Sequence, residues 1–328
     1  MKRIREWEPE ARLTLACRPN LGAFFLQSGL ADEVIEVDKK SGEGRERALK
    51  YLSEKEWDVI FCPHESPRTA TWMRRLRAKR GKVGFKKWWN GPFFDIRVTK
   101  PAHLPDALRQ LSLLAPLDAR IAENFGSDDV EALGKPVDQS SPLDYRRPEI
   151  PAWASMQVRP HKSAGKRIFL APGSVWATKR WTERGYEELA RSLIARGYAV
   201  ELVGSEQERE ICERLSRRVK GVTSSAGKTS LGQLVDLFST GTALVCNDSG
   251  AMHAAAAAGL PTIAVFGPTV LTQGFRPWQN QAMVVQRRLE CRPCGKHGSE
   301  KCPLGTHACM EGIEAGEVLE ALESLLKN

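Results

Sequence analysis

The feature that most constrains this chain is a unit repeated four times in its second half. A short apolar run stops at a turn of Gly, Ser, Asp or Pro, and a helical stretch usually follows: RIFLAPG at 167 to 173, YAVELVGS at 198 to 205, TALVCNDSG at 242 to 250 and PTIAVFGP at 261 to 268. Runs this short and this apolar read as strands buried on both faces, which is how parallel sheets are built. The intervening helices are amphipathic. In TERGYEELARSLIARG, Tyr186, Leu189, Leu193 and Ile194 recur at helical spacing on one face. Alternating strand and helix gives an α/β fold with parallel sheets, in which ligands bind outside the carboxyl ends of the strands. The first half carries the same grammar more weakly, with strand candidates at 12 to 17, 33 to 37 and 57 to 62. Prolines at 136, 142, 148, 151 and 160 interrupt the pattern and place a linker at about 136–160, between a domain at 1–150 and another at 161–328.

A chain of 328 residues has the length of two such domains. No apolar run approaches the roughly 20 residues of a bilayer span, so no transmembrane segment is expected. Glu6, Glu8 and Glu10 interrupt the N-terminus where a secretory signal would be apolar, and a cytoplasmic location is expected. Of the eight cysteines, Cys17, Cys62, Cys212 and Cys246 lie in or beside apolar segments and read as buried free thiols.

The sharpest motif is CNDSGAMHAAAAAGLPTIAVFG at 246 to 267. A strand ends at Asn247, and an Ala-rich helix begins at once, with Asp248 or Ser249 placed to cap it. Free amides at such a helix start suit a diphosphate, Gly250 lets a ligand approach the backbone, and His253 lies one turn in. Taken alone, the fragment is equally well explained by a capped helix and a packed histidine. Its partner, APGSVWATKRWTERGYEEL at 171 to 189, changes that balance: another strand, a Gly-Ser turn, then Lys179 or Arg180 to meet phosphate charge. GVTSSAGKTS at 221 to 230 is not a P-loop, because five residues separate Gly221 from Gly227 where four are required. No G-x-G-x-x-G fingerprint follows any strand candidate, which argues against a nicotinamide dehydrogenase.

Together, PGSVWATKRW, the VGSEQERE turn, AGKTSLGQLVDLFSTGTALVCNDSGAMHAAAAAGLPTIAVFGPT and CRPCGKHGSEKCPLGTHACM resemble glycosyltransferase family 9, in its ADP-heptose:lipopolysaccharide heptosyltransferase II type. The match spans most of the second half and is weaker in the first. The resemblance implies a GT-B fold, α/β with two Rossmann-like domains whose parallel sheets face a cleft, acceptor on the first and nucleotide sugar on the second. It implies an inverting, metal-independent transfer of heptose from ADP-heptose to the lipopolysaccharide inner core, with no cofactor, at the cytoplasmic face of the inner membrane. It places Ser174 and Lys179 at the diphosphate, with Asp248, Ser249, Gly250 and His253 around phosphates and sugar. A glutamate in the Ser205 to Glu210 turn, with Glu206 as the candidate, would hold the ribose, and Thr229 would line the adenine pocket. Asp248 is assigned mainly to capping and to sugar hydroxyls.

The family begins with a strand and a turn of the form R-x-x-x-x-G-D, whose aspartate is the proposed general base, and this sequence has no such segment. Met1 falls where the family's first helix ends. A start assigned too far downstream, with an active longer protein, is the expectation; an inactive nucleotide-sugar-binding remnant is the alternative. His64 and Glu65 follow a strand directly and are the weak candidates for a base within the chain, although a polar loop explains them better.

Charge is concentrated. Formal net charge is +9, yet from Arg68 to Lys100 there are eleven Lys or Arg and only Asp95 against them, a window of +10. Within it, Lys86 and Lys87 adjoin Trp88 and Trp89. This mixture suits an anionic membrane surface or acidic glycolipid, so Arg68, Lys86, Lys87, Trp88 and Trp89 are candidate acceptor-binding residues. The same mixture could bind single-stranded nucleic acid, which is the rival function. Cys291, Cys294, Cys302 and Cys309 form C-x2-C-x7-C-x6-C, close enough for a structural zinc but not two clean knuckles; a reduced, packed loop without metal is expected.

Overall fold

The computed structural model describes residues 1–134, 149–163, 165–279 and 281–327. The chain divides into two compact units, Met1–Lys135 and Pro136–Asn328.

In the first unit, β1 (Thr14–Cys17) pairs in parallel with β2 (Glu33–Glu36). β3 (Glu56–Trp57) pairs in parallel with β5 (Arg77–Ala78), and β4 (Ile60–Cys62), β6 (Lys82–Phe85) and β7 (Ile96–Val98) form a parallel three-stranded sheet in that order. WDVIFC thus folds as two short strands rather than one, since Asp58 and Val59 interrupt the pairing. Leu49, Leu52, Cys62, Ala70, Met73, Leu76 and Phe94 make one small core, against which Trp89 and Phe93 pack.

The second unit is built on one six-stranded, wholly parallel sheet. Its strands are β8 (Arg167–Ala171), β9 (Ala199–Leu202), β10 (Val222–Ser224), β11 (Ala243–Asn247), β12 (Thr262–Phe266) and β13 (Ala282–Gln286), in the order β10-β9-β8-β11-β12-β13. β11 and β12 are buried at every position, as apolar runs covered on both faces should be. β10 comes from the GVTSS run rejected as a P-loop; its polar alternation fits an edge strand with one neighbour. The helix Glu183–Ala195 buries Tyr186, Leu189, Ala190 and Leu193, with Ile194 only partly covered. Between β8 and β11 the chain order reverses, because β8 leads outward to β9 and β10 while β11 leads outward to β12 and β13. This is the switch point at which a doubly wound sheet opens a crevice at its carboxyl edge.

Of the expected linker at 136–160, the part up to 148 lies outside the described residues. From 149 the chain packs on the second unit. Val158 and Arg159 donate backbone N–H bonds to the Ala257 carbonyl, Trp278 Nε1 donates to the Ala154 carbonyl at 2.8 Å, and Arg159 pairs with Asp236. The prolines there therefore mark an extended strap rather than a free tether.

Candidate functional site

The site grows from Asn247, the last residue of β11 and 0% exposed. Its Oδ1 accepts from the Trp181 backbone N–H at 2.9 Å and the Tyr186 hydroxyl at 3.1 Å. Its Nδ2 donates to the carbonyls of Pro172 at 2.9 Å and Gly173 at 3.1 Å. One carboxamide thus ties the end of β11 to the turn after β8, across the switch point. The expectation that this stretch was a cap followed by a phosphate turn overlooked it; an Asn at the end of an apolar strand was the available signal.

Held by that tie, Ser174 is buried, and Lys179 lies in a single helical turn, Ala177–Lys179, with 8% exposure. Lys179 Nζ meets Asp248 Oδ2 at 2.6 Å, and the same oxygen accepts from the Thr269 hydroxyl at 2.6 Å. The expected role of Asp248 as a cap is therefore corrected: its carboxylate turns away from the helix start toward a cation and a hydroxyl. Arg180, the alternative to Lys179, points elsewhere and donates from Nε to the Ser174 carbonyl.

The helix Gly250–Ala258 begins without a side-chain cap, since neither Asp248 nor the N-cap Ser249 accepts from its first amides. The contrast with its neighbours is informative. Thr182 caps the helix at 183 through Gly185 N–H, and Ser230 forms a capping box with Gln233 at 231. A Cβ built on Gly250 would meet nothing within 4 Å. Uncapped amides, the positive helix end and open space in front of them are the features an anion requires. His253 lies half-buried on this helix.

Glu206 is exposed and pairs with Arg209, lying against Gly227 in the turn after β10. The carboxylate nearer the crevice is Glu208, which lies in the same Ser205 to Glu210 turn but is not the residue the resemblance singles out. It accepts from the Ser205 N–H at 2.7 Å and lies where a Cβ on Gly173 or Gly204 would collide with it. Thr229, half-buried, precedes the cap Ser230.

The cysteine-rich loop reaches this site through Thr178. Thr178 Oγ1 donates to the Ser299 carbonyl at 2.6 Å and accepts from Ser299 N–H at 2.8 Å, while His307 Nε2 lies 2.8 Å from the Thr178 carbonyl. All eight cysteines are unbridged. Cys62, Cys212 and Cys246 are buried, but Cys17 is only half-buried, contrary to expectation. Backbone N–H groups of His307 and Leu304 hold the Cys302 thiol below its ordinary value, whereas burial pushes Cys309 up to about 11. Among the described residues, no group of three or more His, Cys, Asp or Glu is arranged to hold a metal.

The candidates of the first unit separate. Glu65 is held by Lys87 at 2.6 Å and by Lys100. Burial works to raise its carboxyl, but the two ammonium groups outweigh it and keep it below the ordinary carboxylate range, which is unfavourable for a base. His64 Nδ1 is 3.0 Å from the Thr69 hydroxyl and Nε2 is 3.2 Å from Lys39 Nζ; burial, then Lys39 and Arg18, hold its pKa down. Arg68 and Lys86 are exposed. Trp89 is half-buried: it meets Phe93 edge-on at 6.2 Å and packs against the core. Trp88 is 96% exposed.

A doubly wound parallel sheet with a cation and an uncapped helix start at its switch point defines a Rossmann-type anion site. The family model for glycosyltransferase family 9 (heptosyltransferase) matches residues 45–304, and the chain belongs to that family. It is 33% identical over 172 residues to the lipooligosaccharide heptosyltransferase 2 of Campylobacter jejuni, covering 50% of this chain and 52% of that protein. The chain thus spans about half the length of the curated relatives it matches. The structure of E. coli ADP-heptose lipopolysaccharide heptosyltransferase II superposes with a TM-score of 0.68 at 22% identity, over 99% of this chain and 92% of that one. A glycosyl transferase family 9 structure from Veillonella parvula gives 0.73 at 18%, over 99% and 91%. The fold is α/β of the GT-B type.

Proposed function

We propose that the chain transfers heptose from ADP-heptose to the inner core of lipopolysaccharide, by an inverting and metal-independent displacement. The observation that carries this reading is the buried Lys179–Asp248–Thr269 cluster beside the uncapped helix start. Departure of ADP develops negative charge on the diphosphate, and a fixed ammonium with oriented amides offsets it without a metal ion. Asp248 and Thr269 act as positioning residues that fix Lys179. Ser174 and Ser249 supply hydroxyls, Gly250 supplies room, and His253 is assigned to the phosphate and sugar end of the donor. Glu208, the inward carboxylate of the turn, is assigned to the ribose in place of Glu206, and Thr229 to the adenine side. On the first unit, Arg68, Lys86 and Lys87 are assigned to the anionic acceptor. Neither His64 nor Glu65 is assigned as the base.

Support comes from family membership, from relatives named for heptose transfer to lipopolysaccharide or lipooligosaccharide, and from a neighbour whose name specifies ADP-heptose. A cytoplasmic site of action at the inner membrane belongs to the same proposal; no helix among the described residues is long and apolar enough to cross a membrane. The test is mass-spectrometric detection of heptose added to heptose-less lipopolysaccharide from ADP-heptose in EDTA. A mass gain of one heptose with the β- and α-anomers of donor and product opposed supports the reading; no gain, or a gain that needs metal, refutes it.

A further inference from the structure

The +10 window is not one surface, because β6 divides it. Around the amino end of β6 three of the six cations from Arg74 to Lys82 are met by acids of their own: Arg75 pairs with Glu46, Lys79 with Glu56 and Lys82 with Asp95. A strand length away, roughly 13 Å for four residues, the turn after Phe85 is different. Lys86, Lys87 and Arg97 gather there with Lys100, and the acid that the ion pairs place among them is Glu65.

The backbone of this turn is held firmly. Asn90 is 3% exposed; its Oδ1 accepts from Lys87 N–H at 2.9 Å, and its Nδ2 donates to the Phe85 carbonyl at 2.8 Å. Trp89 is drawn inward onto Phe93. The consequence for Trp88 is that its whole indole faces outward from a fixed turn, followed by exposed Pro92, while the Arg97 guanidinium lies against Gly91. Glu65 takes up Lys87 and Lys100, which leaves Lys86 and Arg97, both exposed, beside the indole. An exposed indole beside such cations matches the bilayer interface, where an aromatic ring sits among headgroups and ammonium or guanidinium groups meet phosphate.

We propose that this turn is a membrane anchor, in which Trp88 inserts its indole into the headgroup layer of an anionic bilayer while Lys86 and Arg97 face lipid phosphates. A bilayer is chosen over another polyanion because the acceptor proposed above is itself a membrane glycolipid, and to that extent the anchor rests on that reading. Packing governs the rest: Trp89, the next residue, packs against the core and leaves Trp88 to act alone.

The experiment is co-sedimentation of the full chain with vesicles of phosphatidylcholine, with or without about one-third phosphatidylglycerol. The chain should sediment with the anionic vesicles and not with the neutral ones, and Trp88→Ser should lower partitioning by roughly tenfold, the effect of losing one large buried aromatic surface. Brominated lipid chains should quench tryptophan emission in the native protein, and Trp88→Phe should remove that quench. Equal sedimentation of Trp88→Ser, quenching that persists in Trp88→Phe, or binding of single-stranded RNA with no vesicle binding would each overturn the anchor, as would a dimer that Trp88→Ser dissolves. ADP-dependent thermal stabilisation is measured on the same samples. ADP stabilisation without sedimentation overturns the anchor alone, whereas sedimentation without ADP stabilisation supports the anchor and counts against the donor reading.

Discussion

Asn247 shows what a single residue does at a switch point. Both lone-pair positions and both amide hydrogens are used, so the side chain is satisfied although wholly buried. The neighbouring Lys179–Asp248 pair is under greater constraint, because a buried charge that loses its partner is costly. Lys179→Met should therefore destabilise the chain by about 3 kcal/mol, measured by urea unfolding, by stranding the Asp248 carboxylate. Adding Asp248→Asn should recover roughly half of that loss, since Asn can still accept from Thr269. ADP affinity should not recover, because the cation is still missing; calorimetric titration checks this. Sequence reading singled out Lys179 and Asp248 separately but not as a pair. They lie 69 positions apart, and only the reversal of strand order brings them together. Glu206 and Glu208 illustrate the limit: both follow the same strand, and only the collision geometry at Gly173 tells which one turns inward.

At the scale of elements, legibility followed the length of the apolar run rather than burial, since the unread β6 and β13 are largely buried. The strands β8, β9, β11 and β12 were readable because apolar runs are what two covered sheet faces demand. β5, β6, β7, β10 and β13 were not read as strands; β5 has two residues, β10 is polar, and β6 and β13 are runs of four and five residues that include a polar Lys82 or Gln286. The helix cap misassigned to Asp248 had the right composition, but composition does not say which way a carboxylate turns. Two predictions belong to elements. Thr178→Val removes the Oγ1 bonds that fasten the Lys179 turn to the cysteine-rich loop, so ADP affinity should fall about tenfold with little loss of stability. On β2, Glu33 accepts from the Tyr51 hydroxyl, from Lys55 at 2.9 Å and from Thr14 of β1 at 2.9 Å, joining both strands to the end of the helix Gly42–Ser53. Tyr51 and Lys55, with Thr14, hold its carboxyl down at about 2 against burial. Because the folded value is depressed, its contribution is present above the unfolded value near 4.5 and is lost as pH falls toward 2. Glu33→Gln should be less stable than the native chain at neutral pH but lose less stability from pH 5 to 2, as pH-dependent urea unfolding will show.

At the scale of the molecule, the two units differ in what they can contribute to cooperativity. The first is assembled from parallel pairings of two and three short strands, the second from one six-stranded sheet whose strands β11 and β12 are wholly buried. Amide exchange should therefore be slowest in β8 and β11 and fast in β1 and β2, since local opening follows the apolar surface that must be exposed. The donor site proposed above lies in the second unit alone, built from β8, β11 and the turns that leave them. A ligand that binds only a folded site stabilises what must unfold to destroy that site, by about 2.7 kcal/mol at a hundredfold excess over Kd. For a domain of this size each kcal/mol raises the midpoint by about 2–4 °C. Scanning calorimetry should accordingly show two transitions, with ADP moving the one assigned by exchange to the six-stranded sheet and leaving the other in place. If ADP moved both together, unfolding of the first unit would be coupled to the site in the second, and a variant such as Lys179→Met would then lower both midpoints; if it moved neither, the cation and helix start at the switch point would not be the donor site.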